Sequence, residues 1–377
     1  MKAVTYQGRY NVDVTKEPDP EIQKNDDIIV RITSTAICGS DLHLYQENFP
    51  MPEGYIIGHE PMGIVEEIGP DVTAVNKGDR VVIPFTVACG HCQYCSDGLV
   101  SQCDNANPHY DSGGYFGYSE KFGNYPGGQA EYLRVPFGNF TPFVIPEENE
   151  MDDESLLFLS DVLPTAFWSV ENSEMKPGDT VIVLGCGPIG LLTQKFAWQK
   201  GAERVIAVDY IPYRLEHAKK INNVETFNFA EDQDTGETLK EMTKGGADVV
   251  IDCVGMDGKK SPMEFIEQKL KLQGGTLGPI QIATKAVKKT GTVQLTGVYG
   301  GLYNMFPLGP FFSRNVTLKT GQSHARTYMP ELYKQIVNEE IDPTEIITHN
   351  LPLEQAAHGY NIFNGKDDNC IKVVLKP

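Results

Sequence analysis

An alternation of apolar strands and helices begins near residue 176, and it constrains the fold more than any other feature of the chain. Residues 180–184 form an apolar run bounded by glycine, which is typical of a strand buried on both faces of a parallel sheet. A helical stretch at 189–200, a strand at 204–208, a helix at 213–221 and a buried strand at 247–254 follow. Strands that alternate with helices predict a doubly wound parallel sheet, and therefore an α/β fold.

A glycine-rich turn joins the first of these strands to its helix. Gly185, Gly187 and Gly190 form the pattern Gly-x-Gly-x-x-Gly, whose glycines permit a tight turn, close approach of a pyrophosphate and close packing of the helix. Asp209 ends the next strand, where its carboxylate is placed to bind the adenosine ribose and to repel a 2′-phosphate. The pattern predicts a site for NAD rather than NADP, although Arg214 nearby is a residue type that accommodates a 2′-phosphate.

Four cysteines lie within one short, turn-rich stretch. Cys89, Cys92, Cys95 and Cys103 have the spacing Cys-x2-Cys-x2-Cys-x7-Cys, so their sulfurs can surround a single ion. Zinc takes four sulfur ligands tetrahedrally and then has no open position, so this zinc would be structural. Free or disulfide-bonded thiols and an iron–sulfur cluster are the alternatives that the spacing leaves open.

Composition excludes several classes of partner. The 377 residues include 32 Lys and Arg against 51 Asp and Glu, a formal net charge of −19. An acidic surface without a basic run repels phosphate backbones and anionic lipid, so we expect no nucleic-acid and no membrane partner. The sequence shows no signal-peptide core, and no apolar run approaches the ~20 residues of a membrane span. Clustered thiols without an export signal indicate a reducing compartment, so we expect a cytoplasmic protein.

The part of the chain before the parallel sheet has a different character. Residues 1 to about 145 contain short strands, for example 27–35, 63–68, 80–84 and 130–136, separated by Gly, Pro, Asn and Asp. These strands predict a β-rich domain that is interrupted by the four-cysteine lobe at about 88–104. After Gly321 we expect a helix at about 329–338 and a strand at 370–375 that returns to this domain.

Two residue types that ligate zinc occur in the β-rich part. Cys38 supplies a thiolate and His59 an imidazole, and a catalytic zinc takes three protein ligands with one position left open. The two residues are 21 positions apart, so their spacing alone does not pair them.

The stretch Gly58-His59-Glu60-x2-Gly63-x5-Gly69-x2-Val72 resembles the zinc signature of the medium-chain alcohol dehydrogenases. The Cys38-Gly39-Ser40 element, the four-cysteine lobe and the glycine fingerprint stand in that family's order, so the resemblance covers essentially the whole chain. It implies a GroES-like catalytic domain and a Rossmann domain, with the active site in the cleft between them. The predicted division is 1–162 for the catalytic domain, 163–320 for the NAD-binding domain and 321–377 for the return.

The resemblance also implies roles for individual residues. Cys38 and His59 match ligands of a catalytic zinc, and Glu60 matches a glutamate beside the zinc that ligates it transiently. The stretch 159–165 is similar to the glutathione-independent formaldehyde dehydrogenases, which implies that Asp161 is the third ligand. A helix cap or a hydrogen bond to backbone is the alternative role for Asp161.

Further residues match the coenzyme site of that branch. Ser40 and His43 match a proton relay that runs from the substrate oxygen through Ser40 and the ribose of NAD to His43 near solvent. A turn hydroxyl and a surface imidazole are the alternatives for these two residues. The other matched positions are Gly39, Thr165, Ile189, Val254, Thr296, Val298, Gly321 and Ser323.

The activity that the resemblance implies is zinc-dependent hydride transfer between a small alcohol or aldehyde hydrate, such as that of formaldehyde, and NAD, with two zinc ions per chain. A polyol or threonine-type dehydrogenase of the same superfamily is one alternative, and a catalytically silent NAD-binding protein is another. Phe49, Tyr110, Tyr115 and Phe116 are the aromatic candidates for the substrate pocket. Family members are dimers or tetramers, and we expect a homotetramer.

One segment is longer than in ordinary alcohol dehydrogenases. About 36 residues lie between Gly255 and Gly291. In the formaldehyde dehydrogenases an insertion at this place covers the adenine end of NAD and retains the coenzyme, which allows an aldehyde to be dismutated. An ordinary loop and helix with free exchange of the coenzyme is the other interpretation.

Overall fold

The computed structural model describes residues 1–258 and 275–377, which divide into two compact units. The first unit comprises Met1–Pro164 and Ser323–Pro377, and the second comprises Thr165–Gln322. The insertion predicted between Gly255 and Gly291 lies partly outside the described residues, which do not include 259–274. None of the helices in the described segments combines the length and apolar character that a bilayer crossing requires.

Strands and helices alternate with short turns along the described chain. The strands are β1 (Lys2–Tyr6), β2 (Val12–Lys16), β3 (Ile28–Ile37), β4 (Pro61–Ile68), β5 (Arg80–Val82), β6 (Thr86–Val87), β7 (Gly114–Tyr115), β8 (Tyr132–Val135), β9 (Phe143–Val144), β10 (Thr180–Leu184), β11 (Arg204–Asp209), β12 (Glu225–Asn228), β13 (Ala247–Asp252), β14 (Val287–Leu295), β15 (Thr317–Thr320), β16 (His349–Pro352) and β17 (Val373–Lys376). The α-helices are α1 (Gly39–Tyr45), α2 (Gln93–Ser96), α3 (Asp153–Leu157), α4 (Val162–Asn172), α5 (Pro188–Gln199), α6 (Pro212–Asn222), α7 (Thr235–Met242), α8 (Gly278–Ala286), α9 (Leu308–Ser313), α10 (Ala325–Val337) and α11 (Ala356–Gly365).

The first unit is centred on a mainly antiparallel sheet with the strand order β16-β17-β3-β4-β5-β9, in which β3 also pairs with β8. Alternate residues of β3, such as Ile28, Val30 and Ile32, are buried in one apolar core. The carboxyl-terminal strand β17 pairs with the end of β3, with Val373 opposite Ile37. Residues just before β17 therefore lie beside the residue that follows β3, which is Cys38.

The second unit contains a parallel sheet with the strand order β12-β11-β10-β13-β14-β15. Its strands are apolar on both faces. Ile182, Ile206 and Val250 are buried register partners on one face, and Val181, Val205 and Val249 are buried register partners on the other. The order reverses between β10 and β13, and ligands of such sheets bind in the crevice at the carboxyl ends of the strands at this point. The parallel sheet confirms the predicted α/β fold class.

Several predicted elements have the expected position with small changes in length. The strand predicted at 180–184 is β10, and the strand predicted at 130–136 shortens to β8. The helix predicted at 329–338 begins earlier, at Ala325. The strand predicted at 370–375 begins later, at Val373, because Cys370 is still in a turn that its N–H closes on the carbonyl of Asp367.

Candidate active site and metal centres

Four side chains of the first unit converge on one buried point. Cys38, His59, Glu60 and Asp161 each offer one ligand atom, and these atoms all lie within 4.8 Å of one another. Cys38 Sγ lies 3.4 Å and His59 Nε2 lies 3.2 Å from the same oxygen, Asp161 Oδ2. None of the four residues is more than 6% exposed. A thiol, an imidazole and a carboxylate at these distances form a donor set suited to zinc.

Local backbone geometry places these donors. Cys38 follows β3 and caps α1, and its N–H donates to Asp41 Oδ2 over 2.9 Å. His59 follows Gly58, whose φ of +95° favours glycine and whose added Cβ would lie 2.3 Å from Gln129 Cγ. Asp161 lies between a 3-10 turn and α4, a position from which it could cap the helix. Its carboxylate faces Cys38 and His59.

The carboxylates of Glu60 and Asp161 lie beside the Cys38 thiol, and burial disfavours this much negative charge unless a cation is bound. Burial, with the charges of Glu60 and Asp161, raises the pKa of the Cys38 thiol to about 12. Burial alone would lower the pKa of His59, but the Asp41 carboxylate beside it and further neighbours raise that pKa well above 6.5. A divalent cation at this point would offset the carboxylate charges and favour the Cys38 thiolate, so the site fits zinc.

A buried ion pair adjoins the cluster. Lys372 Nζ lies 2.5 Å from Glu60 Oε2, and both side chains are 0% exposed. The other carboxylate oxygen, Glu60 Oε1, is buried and has no hydrogen-bond partner. Glu60 therefore presents one oxygen to Lys372 and retains one that no group of the described residues satisfies.

The four cysteines of the lobe also converge. Their ligand atoms lie within 4.8 Å of one another, and the Cys89–Cys95 and Cys92–Cys103 sulfur pairs are 4.0 and 3.9 Å apart. Four sulfurs at ~2.3 Å from one tetrahedral zinc would be about 3.8 Å apart, whereas a disulfide needs about 2.05 Å. No disulfide joins any of these four cysteines, so the disulfide alternative is wrong.

Hydrogen bonds to sulfur support thiolates in this lobe. Cys89 Sγ accepts from the N–H groups of His91 and Cys92 and from Asn105 Nδ2, over 3.2 to 3.4 Å. Partial burial opposes ionisation of Cys92, but backbone N–H donors lower the pKa of its thiol to about 7. Burial raises the pKa of Cys103 to about 11, which a bound cation would reverse.

The glycine-rich turn of the second unit has the geometry that its sequence predicts. Gly185 has φ +95°, and a Cβ on Gly190 would lie 2.0 Å from the carbonyl oxygen of Gly185. The nearest atom to a Cβ built on Gly187 is Arg214 Nη1, at 3.7 Å, so the backbone there is open to a ligand. Asp209 accepts from Cys186 N, Tyr210 N and Ile211 N over 2.7 to 3.1 Å, which fixes its carboxylate beside the turn.

The remaining predicted coenzyme residues are divided between the two units. In the second unit, Val254 lies beside Gly185, and Thr296 Oγ1 donates to Ser169 Oγ, which donates in turn to the carbonyl of Thr165. Ile189 lies in the first turn of α5, Val298 is half-buried after β14, and Gly321, with φ +154°, packs against Trp168. In the first unit, Gly39, Ser40 and His43 lie on α1, and Ser323 Oγ donates to the carbonyl of Pro164.

Comparison with known proteins bears directly on these sites. Residues 24–147 match the family model "Alcohol dehydrogenase GroES-like domain", and residues 188–267 match "Zinc-binding dehydrogenase". The zinc-type alcohol dehydrogenase-like protein AdhB of Bacillus subtilis is 60% identical over 378 residues, with 100% of each chain covered. The chain belongs to the zinc-containing alcohol dehydrogenase family.

Two other members of this alcohol dehydrogenase family agree with the assignment. A glutathione-independent formaldehyde dehydrogenase of Pseudomonas aeruginosa is 31% identical over 96% of this chain and 94% of the relative. The solved structure of the alcohol dehydrogenase TADH from Thermus sp. ATN1 has a TM-score of 0.85 at 32% identity and covers 100% of this chain and 99% of its own. These matches confirm the predicted family, and the chain is therefore an oxidoreductase.

Several side chains that support the zinc-type cluster have no clear signal in the sequence. Asp41 Oδ1 lies 3.0 Å from His59 Nδ1, although neither atom makes a hydrogen bond of normal geometry. Gln129 Nε2 donates to Asp41 Oδ2 over 3.2 Å, and Tyr360 OH donates to Gln129 Oε1 over 2.9 Å. A carboxylate behind a ligating imidazole orients the ring. The capping-box spacing of Cys38 and Asp41 is the one signal that points to this residue.

Aromatic rings lie close to His59, but they are not the candidates taken from the sequence. The centroids of Phe85 and Tyr118 lie 6.4 and 5.6 Å from that of the His59 ring. The four candidates lie elsewhere: Phe49 against His43, Phe116 in the core, Tyr115 against Phe85, and Tyr110 at the surface.

Proposed function

We propose that this alcohol dehydrogenase is dependent on zinc and NAD, and that it transfers a hydride between a small alcohol or aldehyde hydrate and the coenzyme. The observation that carries the proposal is the convergence of Cys38, His59 and Asp161 on one buried point. Three such ligands with a fourth position free are the arrangement of a catalytic zinc. The four-cysteine lobe would hold a second zinc, with a structural role.

The residues around the cluster have separate roles in this proposal. A bound zinc would supply Lewis acidity at the substrate oxygen, and NAD would accept the hydride. Asp41 orients the His59 ring from behind, and Glu60 offers its unsatisfied oxygen to the cluster. Ser40, two residues after Cys38 and half-buried on α1, would take the proton from the substrate hydroxyl at its Oγ.

His43 would receive that proton by way of the coenzyme. Its ring lies one turn along α1 from Ser40 and is 5% exposed, with the edge of the Phe49 ring against it at 6.0 Å. Burial of this kind argues against the alternative of a surface imidazole, and it also corrects the expectation that His43 lies near solvent.

We assign NAD rather than NADP on the position of Asp209. Its carboxylate is fixed beside the fingerprint by three backbone N–H groups, where a negative charge disfavours a 2′-phosphate. Arg214 is the opposing influence, since its guanidinium lies next to Gly187. The coenzyme preference is therefore a balance between these two side chains.

A small substrate, formaldehyde hydrate among others, fits the surroundings of the cluster. Phe85 and Tyr118 occupy space beside His59. Asp161 in place of a cysteine ligand and the similarity to a relative named glutathione-independent formaldehyde dehydrogenase agree with this class. Retention of NAD, with dismutation of aldehydes, depends on the insertion that lies partly outside the described residues and is part of the test below.

The remaining proposals concern organisation. We assign 1–162 and 321–377 to the catalytic domain and 163–320 to the coenzyme domain, in a cytoplasmic homotetramer. Large apolar side chains between 67% and 91% exposed cluster in one segment of the second unit and would be covered by another copy of the chain: Leu302, Met305, Leu308 and Phe312. Light scattering of wild type and Phe312→Asp tests this, because the variant should form a smaller assembly.

The function is tested by absorbance at 340 nm of the purified protein. Formaldehyde is added first without free NAD, then with NAD or NADP, followed by short alcohols, 1,2-diols and threonine. A rise without added NAD, followed by methanol and formate, supports retained NAD and dismutation. A signal that needs added NAD supports an exchanging dehydrogenase.

Matched variants tie the signal to the cluster. Asp161→Asn should lose the signal, and Asp152→Asn, at an exposed carboxylate nearby, should keep it. Activity on diols or threonine alone would favour the polyol-type alternative. Absence of activity across the whole panel in a zinc-loaded protein would overturn the proposal.

A further inference from the structure

A buried carboxylate that the proposed reaction does not use lies at the end of β13. Asp252 is 0% exposed. Its Oδ1 accepts from Val254 N and Gly255 N over 2.8 and 3.2 Å, and its Oδ2 accepts from Tyr299 OH over 2.7 Å. Among the residues that the structure describes, three hydrogen-bond donors rather than a cation satisfy this group. Burial raises its pKa, and the donors oppose that rise.

These hydrogen bonds fasten two loops to each other. The segments 252–256 and 296–299, which we call the paired loops, follow β13 and β14. The N–H groups of Thr296 and Gly297 donate to the carbonyl of Asp252 over 2.9 and 2.8 Å, and Met256 N donates to the carbonyl of Val298 over 2.9 Å. A Cβ on Gly297 would lie 2.1 Å from Gly255 N, so the loops are in direct backbone contact.

The paired loops lie beside the glycine fingerprint. β13 is the neighbour of β10, and the strand order reverses between them, so the carboxyl ends of these strands flank the ligand crevice of the sheet. The side chain of Val254 is 2.9 Å from a Cβ built on Gly185, the first glycine of the fingerprint. The position of Val254 therefore determines the shape of the crevice wall next to the turn.

The Tyr299 hydroxyl is the side-chain contact from the second loop to this carboxylate. Without it, Asp252 Oδ2 would be a buried acceptor that has lost its partner, which is costly and favours another arrangement of the loops. The backbone bonds of Val254 and Gly255 to Oδ1 depend on the same side chain, so a shift of Asp252 moves the crevice wall.

We propose that the Tyr299–Asp252 hydrogen bond is a positioning contact that holds the paired loops in the shape against which the coenzyme binds. Tyr299 and Asp252 act through Val254 and its neighbours and are not catalytic residues. This inference rests on the proposed function, because the ligand of the crevice is taken to be a nicotinamide dinucleotide.

The test is a fluorescence titration of NADH into wild type, Tyr299→Phe and Tyr303→Phe. Tyr303 lies 5.6 Å from Tyr299, ring to ring, so the control removes a hydroxyl from the neighbouring ring and leaves the Asp252 contact intact. Loss of a hydrogen bond to a buried carboxylate should weaken NADH binding about three- to tenfold in Tyr299→Phe. The control should stay within about twofold of wild type, and KM for NAD should rise in Tyr299→Phe with little change in kcat.

Several results would overturn the inference. One is a Tyr299→Phe variant that melts at a lower temperature but binds NADH as tightly as wild type, because the contact would then be structural only. An equal effect in Tyr303→Phe is another. Should Tyr299→Phe not fold, hydrogen exchange in wild type replaces it: NADH must slow exchange in 252–256 and 296–299, and unchanged exchange refutes the proposal. If wild type binds neither NADH nor NADPH, the proposed function itself fails.

Discussion

Replacing Lys372 with methionine should destabilise the first unit through loss of a buried ion pair. Lys372 Nζ and Glu60 Oε2 are 2.5 Å apart, and neither side chain is exposed. Methionine keeps most of the apolar stem and removes the charge, so the variant leaves the Glu60 carboxylate buried without its partner.

The size of the effect follows from burial. Removal of one partner from a buried ion pair costs about 3–5 kcal/mol. Burial already raises the pKa of Glu60, so the carboxyl in the variant takes up a proton and the cost should fall near the lower limit, about 3 kcal/mol. For a domain of about 150–250 residues, this corresponds to a decrease of roughly 6–12 °C in the melting midpoint.

The assay is scanning calorimetry of the zinc-loaded protein, with Lys376→Met as the control. Lys376 pairs with Glu154 over 2.8 Å, but these side chains are 38% and 26% exposed. An exposed pair contributes about 0–1 kcal/mol, so the control midpoint should move by no more than about 4 °C. The double variant Lys372→Met/Glu60→Gln should recover part of the loss, because it removes both charges.

The pH dependence supplies a check of sign. The folded-state pKa of Glu60 is raised above 4.5, so the folded protein holds the proton more tightly than the unfolded chain does. Loss of Lys372 raises that pKa further, so the penalty in Lys372→Met relative to wild type should increase as the pH rises through and above the folded-state pKa of Glu60 in wild type. An equal shift in Lys372→Met and Lys376→Met, or a double variant less stable than Lys372→Met, would refute this reasoning.

Three further predictions concern the coenzyme, the lobe and acid stability. Asp209→Ala should lower the preference for NAD, measured as kcat/KM for NAD divided by kcat/KM for NADP, by about tenfold, because repulsion of the 2′-phosphate is lost. An unchanged ratio in steady-state assays would contradict the role of Asp209. Cys95→Ala should contain one zinc ion fewer per chain when zinc is measured by elemental analysis, and its melting midpoint should be lower than that of wild type. A variant that keeps its stability and its full zinc content would exclude a structural metal in the lobe. Burial lowers the pKa of His324 below 6.5, so its contribution to stability is present above pH 6.5 and is lost as the pH falls through the folded-state pKa. Between pH 7.5 and 5, the melting temperature of His324→Gln should therefore decrease less than that of wild type. A larger decrease in the variant would have the wrong sign.

The parts of the fold set by local patterns could be predicted from the sequence. The apolar run 180–184 is β10, and the glycine at 185 has the positive φ that a tight turn requires. The family and the α/β fold class are confirmed by the matches and by the parallel sheet. In these regions, the few consecutive residues that form the sequence pattern are the same residues that adopt the predicted structure.

Contacts between distant segments could not be predicted in this way. Lys372 and Glu60 are separated by 312 positions, and they meet because β17 pairs with the end of β3. The Gln129 and Tyr360 contacts behind Asp41 also join segments that are far apart in the sequence. No periodicity reports which strands become neighbours, so a lone lysine near the carboxyl terminus has no signal of its own. The rings beside His59 show the same limit, since Phe85 and Tyr118 are not among the candidates that the sequence offers.

We propose that Cys38, His59 and Asp161 hold a catalytic zinc that is separate from the zinc of the four-cysteine lobe. Elemental analysis of zinc per chain, in wild type and Asp161→Ala purified side by side, tests it most directly. We expect two zinc ions per chain in wild type, one for each donor cluster, and one in Asp161→Ala. Two zinc ions retained in Asp161→Ala, or a single zinc ion in fully active wild type, would contradict the assignment of a separate zinc to Cys38, His59 and Asp161.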